Sequence, residues 1–293
     1  MNKKKQIVLA VGVSSIIILL ICSIFIYCFY FFPTEIEIKD NTLSEQTNNI
    51  IFENGHLLWD TGANGSILLS NFRQKKVLIS FSILYDSYRK IKIAGLYFSH
   101  NTIIDSIFIK NFIYTKLDRG GLPTEIQKLN YIGILGMNVI SNYNWLLDFD
   151  KNTLQNIPKT KSYKEEYDFK LTYLFRIFPY TSITIERIKL KKILIDSGLN
   201  TDCVLLVDDI YKINEYISPD TVINQVSNGL FSNCIPSKQY VYTNIKINNT
   251  FFDTLTITEG EKRLIGIGFF RKFDKVFWDS GKKEVRFYKN TKR

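Results

Sequence analysis

The sequence predicts an all-β body made of two related halves, preceded by one apolar N-terminal segment. Three observations carry that prediction. Aromatic and β-branched residues recur throughout, with 22 Phe and 17 Tyr in 293 residues, a bias toward strands. From Ile50 onward, short alternating runs are punctuated by turn residues, and long amphipathic helices are absent. A set of motifs then appears twice, in the same order.

Residues 7–32 carry no charge. As a helix they would reach about 39 Å, more than the roughly 30 Å of a bilayer's hydrocarbon core. Lys3, Lys4 and Lys5 precede the run, and Lys39 is the first basic residue after it. Residues 1–6 are therefore expected in the cytoplasm, and the body outside, periplasmic or extracellular. Residues 25–32 are bulky and aromatic where signal-peptide cleavage would need small side chains, so the segment reads as an uncleaved single-pass anchor. Ile21 before Cys22 argues against lipidation there. Residues 33–49 are polar and read as a stalk.

The body follows from residue 50. Asn54-Gly55 between two apolar runs predicts a two-residue hairpin turn. Strands are expected at 77–84, 91–98 and 107–114, a short helix at 137–143, and strands at 145–148 and 153–157. The charged segment PKTKSYKEEY, residues 158–167, lacks large aliphatics and separates a first half (50–158) from a second (168–293), with 159–167 as linker. In the second half short helices are expected at 208–216 and 269–273, with strands at 277–279 and 284–288.

The repeat carries the chemistry. Leu57-Leu58-Trp59-Asp60-Thr61-Gly62-Ala63 in one half answers Ile193-Leu194-Ile195-Asp196-Ser197-Gly198-Leu199 in the other. Gly133-Ile134-Leu135-Gly136 is matched with Ile265-Gly266-Ile267-Gly268, placing the last glycine 76 and 72 positions after its aspartate. In each half a helix-like stretch and an aromatic strand ending in Asp148 or Asp279 follow. One Asp-Thr-Gly is weak evidence; an ordered duplication is strong.

On these motifs the chain resembles the retropepsin-like aspartic peptidases, duplicated within one polypeptide to give a bilobal, pepsin-like arrangement of two β-barrel lobes. The resemblance spans roughly residues 50–288. It implies that Asp60 and Asp196 are the catalytic pair, and that Thr61 and Ser197 hydrogen-bond across the interface. It further implies that Gly62 and Gly198 permit tight turns, and that Ile134, Leu135, Gly136, Ile267 and Gly268 brace the loops from behind. A covering flap is expected in the first half, with Tyr85 and Tyr88 at its tip, and Ser227-Asn228-Gly229 is turn-like in the second. The implied reaction is hydrolysis of peptide bonds in a polypeptide substrate. Two adjacent carboxylates share one proton, as in aspartic peptidases generally, so one activates water while the other protonates the carbonyl oxygen. No cofactor or metal is required, and the intramolecular pseudo-dimer predicts a monomer.

Three departures from the family pattern stand in the second half: Gly266 where a large apolar residue is usual, Leu199 after Asp-Ser-Gly, and the extra charge of Asp202. They motivate an alternative, a catalytically impaired protein of the same fold that binds peptides or envelope polymers. The remaining composition excludes other classes. The net charge is +10, yet the lysines are scattered and no zinc-finger spacing, RNP-like motif or Arg-rich helix occurs, so no nucleic-acid partner is expected. With four Cys, no CxxC and two His, a structural zinc site is not expected either. Cys203 and Cys234 are a candidate disulfide in an oxidising compartment. His56 and His100 are read as solvated, and Asp148 and Asp279 as structural.

Overall fold

The computed structural model describes residues 13–21, 23–24, 34–44, 49–52, 57–69, 75–86, 88–104, 106–122, 127, 132–164, 166–227, 229–231 and 235–289. The Asn54-Gly55 turn, His56, Cys22, Cys28, Cys234, Asn228 and most of residues 1–33 lie outside these. The chain divides into two compact units, Met1–Pro33 and Thr34–Arg293. In the first, residues 13–21 and 23–24 are helical and exposed. Among the described residues no helix is long and apolar enough to cross a membrane.

The second unit is mostly β, in three sheets. The first sheet has strands β1 (Glu35–Ile38), β2 (Leu57–Trp59), β3 (Ser66–Leu69), β4 (Val77–Tyr85), β5 (Ile91–Ile104), β6 (Ile107–Leu117) and β7 (Gly133–Leu135). After the short helix α1 (Met137–Ile140) come β8 (Asn144–Asp148) and β9 (Thr153–Ile157). Next are β10 (Phe169–Thr172), β11 (Tyr180–Ile185), β12 (Ile188–Ile195), β13 (Cys203–Leu205) and α2 (Val207–Asn214). The chain finishes with β14 (Thr221–Ser227), β15 (Ile235–Ile247), β16 (Thr250–Glu259), β17 (Leu264–Ile265), α3 (Ile267–Phe270), β18 (Lys275–Asp279) and β19 (Glu284–Tyr288).

Duplication is explicit in the topology. The first sheet runs β2-β7-β3-β6-β5-β4 with β1 beside β6, and the last runs β11-β12-β17-β13-β16-β15-β14. From β2 to β4 in one and from β12 to β14 in the other, each pairing has a counterpart of the same sense. The strand before each aspartate lies parallel to β7 or β17, and β3 and β13 lie parallel to β6 and β16. The third sheet, β10-β19-β18-β8-β9, takes strands from both halves, joined where β8 meets β18 antiparallel with Trp145 opposite Trp278.

The core explains the aromatic excess. Trp59 is fully buried, edge-on to Trp145 at 6.0 Å and to Trp278 at 5.7 Å between ring centroids. One tryptophan from each half of the shared sheet thus grips the residue before Asp60, each contact adding about 0.5–1.5 kcal/mol beyond area burial. In the second half Phe169, Phe252, Phe269, Phe273 and Phe287 form one ring cluster.

One expectation needs correction. Part of the supposed stalk belongs to the fold. β1 pairs antiparallel with β6, Ile36 and Leu43 are buried, and Thr42 bridges to Thr153. The segment is polar on average, but Glu35-Ile36-Glu37-Ile38 has the period-two alternation of a strand with one face inward. Of the candidate disulfide, Cys203 is a free thiol buried in β13 between β16 and β17, where burial pushes its pKa up, and Cys234 lies outside the described residues. The linker, by contrast, is held: Asn144 donates to Lys161 O, and Tyr163 stacks on Phe277.

Candidate active site

The site forms where the ends of β2 and β12 meet. Each strand is braced by its parallel partner: Asp60 N–H donates to Leu135 O at 3.0 Å, and Asp196 N–H to Ile265 O at 2.8 Å. The loops that follow are tied together by reciprocal hydrogen bonds. Thr61 N–H donates to Ser197 Oγ, and Ser197 N–H to Thr61 Oγ1, both at 3.0 Å. Thr61 Oγ1 donates to Ile195 O at 2.9 Å, and Ser197 Oγ to Trp59 O at 2.8 Å. Each hydroxyl thereby donates once and accepts once across the seam. Their 3.4 Å approach to one another uses no further proton. Both residues are fully buried, so the network admits no competing water.

This seam gathers the two carboxyls, each lying against the other half's glycine and close enough to shift the other's ionisation. They are enclosed by protein while part of each residue's surface stays open to solvent. Gly62 and Gly198 are required by closeness. A Cβ at Gly62 would lie 2.3 Å from Asp196 Cγ, and one at Gly198 would lie 2.7 Å from Asp60 Cγ. Each glycine makes room for the other half's carboxyl.

The halves are not electrostatically equal. Asp60 Oδ1 accepts Gly62 N–H at 2.8 Å and Ala63 N–H at 3.2 Å, whereas Asp196 Oδ1 accepts Gly198 N–H at 3.1 Å. Desolvation raises the pKa of both. Asp196 is pushed well above its ordinary value, with the charge of Asp60 as the next cause, while amide donors restrain Asp60. The pair titrates as a unit and shares one proton.

The register corrects the assignment of the supporting residues in the second half. Ile134 and Leu135 lie beside Leu58 and Trp59, and Leu264 and Ile265 lie beside Leu194 and Ile195. Gly136 and Gly266 each precede a short helix with the same backbone, φ −96° and −98°. The counterpart of Gly136 is therefore Gly266, 70 positions after Asp196. Ile267 and Gly268 are the first turn of α3 and hold the loop one step further along, Ile267 N–H donating to Leu199 O at 2.8 Å and Gly268 N–H to Thr201 O at 3.2 Å. The alternating Ile-Gly-Ile-Gly offers two glycines, and only strand pairing selects between them. With this register the apolar-apolar-Gly pattern is intact in both halves, so Gly266 is no departure.

The other two oddities also find places. Leu199 O accepts Ile267 N–H, as Ala63 O accepts Met137 N–H. Asp202 is buried, accepts Thr256 N–H at 2.8 Å and pairs with Lys272 at 2.8 Å. Lys272→Met should leave that carboxylate uncompensated and cost about 2 kcal/mol in chemical denaturation, because Lys272 retains some solvent. An unchanged midpoint and slope would refute a structural role for the pair. Asp148 and Asp279, at equivalent strand ends, pair with Lys275 and Arg286. His100 is exposed, with its Nδ1 2.9 Å from Asn111 Oδ1.

The hairpin of β4 and β5 carries the expected flap tip. Tyr85 is exposed, with Lys262 Nζ 5.5 Å from its ring centre, and Tyr88 is half-buried. The residue organising this tip is Asp86, which the sequence places in the turn without showing its role. Asp86 is 5% exposed, and its Oδ1 accepts the N–H groups of Tyr88 and Lys90. Its Oδ2 accepts Phe231 N–H at 3.1 Å, and its carbonyl accepts Lys262 Nζ at 3.0 Å. Lys262 was also missed; its charge helps to lower the pKa of Asp196. An aspartate followed by Ser-Tyr-Arg reads as an ordinary turn former, and no local pattern reveals partners 145 and 176 positions away. Among the described residues no group of His, Cys, Asp and Glu could hold a metal ion.

No family model matches the chain, and the search of curated proteins finds no relative.

Proposed function

We propose that the chain is an aspartic endopeptidase of bilobal, pepsin-like build, anchored by residues 7–32 and acting on polypeptides outside the cytoplasmic membrane. One observation carries the reading. Two Asp-(Thr/Ser)-Gly loops, one per half, are cross-tied by their own hydroxyls, so that Asp60 and Asp196 face each other over reciprocal glycines. Such a pair suits hydrolysis by water without a covalent intermediate. Asp60, restrained by two amide donors, takes a proton from the attacking water, and Asp196 gives its proton to the carbonyl oxygen. The seam fixes both groups before substrate arrives.

The alternative, a binding protein of this build without turnover, loses its main motive once Gly266 takes the place of the bracing glycine. Incubating the purified protein with unfolded polypeptide from acid to neutral pH separates the two. The peptidase reading expects internal cleavage that survives metal chelators. Saturable binding with intact polypeptide at every pH would transfer the assignment to the binding protein.

A further inference from the structure

The first half contains a small apolar cluster, a trough once its cover is lifted, that reaches to three residues from Asp60, and another part of the same chain packs on it. Ile51, Leu58, Ile67, Leu69, Leu117, Leu122 and Ile134 form a buried cluster separate from the main core. Ala63, three residues after Asp60, packs on it, as do Leu84 and Ala94 from the inner face of the β4–β5 hairpin. The alternate residues Phe81, Ile83, Ile91 and Ile93 point the other way and are exposed. The remaining residues packed on the cluster are Leu230 and Phe231, from the segment between β14 and β15 in the second half.

Their contacts have the form of a bound peptide. The Phe231 backbone N–H donates to Asp86 Oδ2 on the flap tip, and the Phe231 ring lies 5.9 Å from Lys92 Nζ. Gly229 sits so close that a Cβ there would be 2.7 Å from Asp86 Oδ2 and 2.8 Å from Tyr88 Cδ2. The flap is secured on the same side by Lys262 on the Asp86 carbonyl and by Arg89 with Glu261 at 3.6 Å. Apolar side chains in the trough and a main-chain donor on the flap are what an extended polypeptide would offer.

We propose that Gly229–Phe231 is an internal pseudosubstrate that fills this trough in the resting protein, and that the trough accepts adjacent large apolar and aromatic side chains once the segment withdraws. The word substrate rests on the peptidase reading; the occupancy and its displacement do not. A polypeptide must compete with a tethered occupant, so its apparent affinity falls by the fraction of molecules in which the trough is free. Polypeptides without a bulky apolar pair lose that competition, which makes the segment a selectivity filter.

The test uses the Asp196→Asn form, so that binding is read without turnover. The probes are two fluorescent decapeptides of otherwise polar sequence, one centred on Leu-Phe and the other on Ser-Asn. Replacing Leu230 and Phe231 with serine should tighten binding of the Leu-Phe peptide by about tenfold or more, with no change for the Ser-Asn peptide. Unchanged or weaker Leu-Phe binding in a variant of unaltered melting temperature overturns the proposal, as does equal tightening for both peptides. A second measurement leaves the segment intact. Saturating Leu-Phe peptide should accelerate hydrogen exchange at the Phe231 amide, which loses Asp86; undiminished protection overturns the proposal. Displacement without cleavage by the unsubstituted chain would leave the inference standing and remove the peptidase reading. Cleavage without displacement would do the reverse.

Discussion

Asp60→Asn and Asp196→Asn should each lower polypeptide cleavage by about a thousandfold or more, and the double variant should be little worse than either. Either amide leaves a pair that cannot both take a proton from water and give one to the carbonyl. The shape of the seam is kept, because asparagine fills the same volume beside Gly62 or Gly198. Initial rates on one unfolded polypeptide check this, and full activity in either variant would sink the dyad. A linked effect on stability has a definite sign. Burial raises the Asp196 pKa from its ordinary 3.8, so the folded state holds that proton more tightly than the unfolded state. The resulting stabilisation is complete below the ordinary value and is lost as pH rises through the raised folded value. Asparagine at 196 cannot ionise. The melting temperature of Asp196→Asn relative to the parent should therefore climb from acid to neutral pH. A difference independent of pH would contradict a buried, proton-retaining carboxyl.

Thr61→Val should cost about 2–6 kcal/mol of unfolding free energy and remove most activity. Valine matches threonine in shape, so packing is preserved. Ser197 N–H loses its acceptor and Ile195 O loses its donor, both at the fully buried seam. An orphaned buried group costs about 1–3 kcal/mol. Thr61→Ser keeps the hydroxyl and should recover most of the loss. Denaturant titration of the three proteins decides the matter; a valine form as stable as the serine form would remove the seam from the account of the fold.

Much of this architecture could be read from the residues in order. Asp60, Asp196 and their neighbours were visible because tight local chemistry, an apolar strand followed by Asp-(Thr/Ser)-Gly, occurs twice in matching surroundings. The strands β9 and β19 were legible to the residue, and β4 to within one, since alternation leaves a local signature. The misreadings have physical causes. β1 was hidden by its charged outward face, and the bracing glycine was displaced by two because a strand of two residues, Leu264–Ile265, is too short to show a period. Asp86, Lys262 and Phe231 were beyond reach for a different reason. Each acquires its role only when the first half's hairpin touches loops of the second.

The sheet shared by both halves has a consequence for the order of events during synthesis. Trp59 is clamped by Trp278, and β8 finds its neighbour in β18, which follows both aspartate loops in the chain. A nascent polypeptide that has emerged only as far as Asp196 already carries both acids but lacks the strand that sews them together. On the peptidase reading, hydrolytic competence would wait until the last strands arrive.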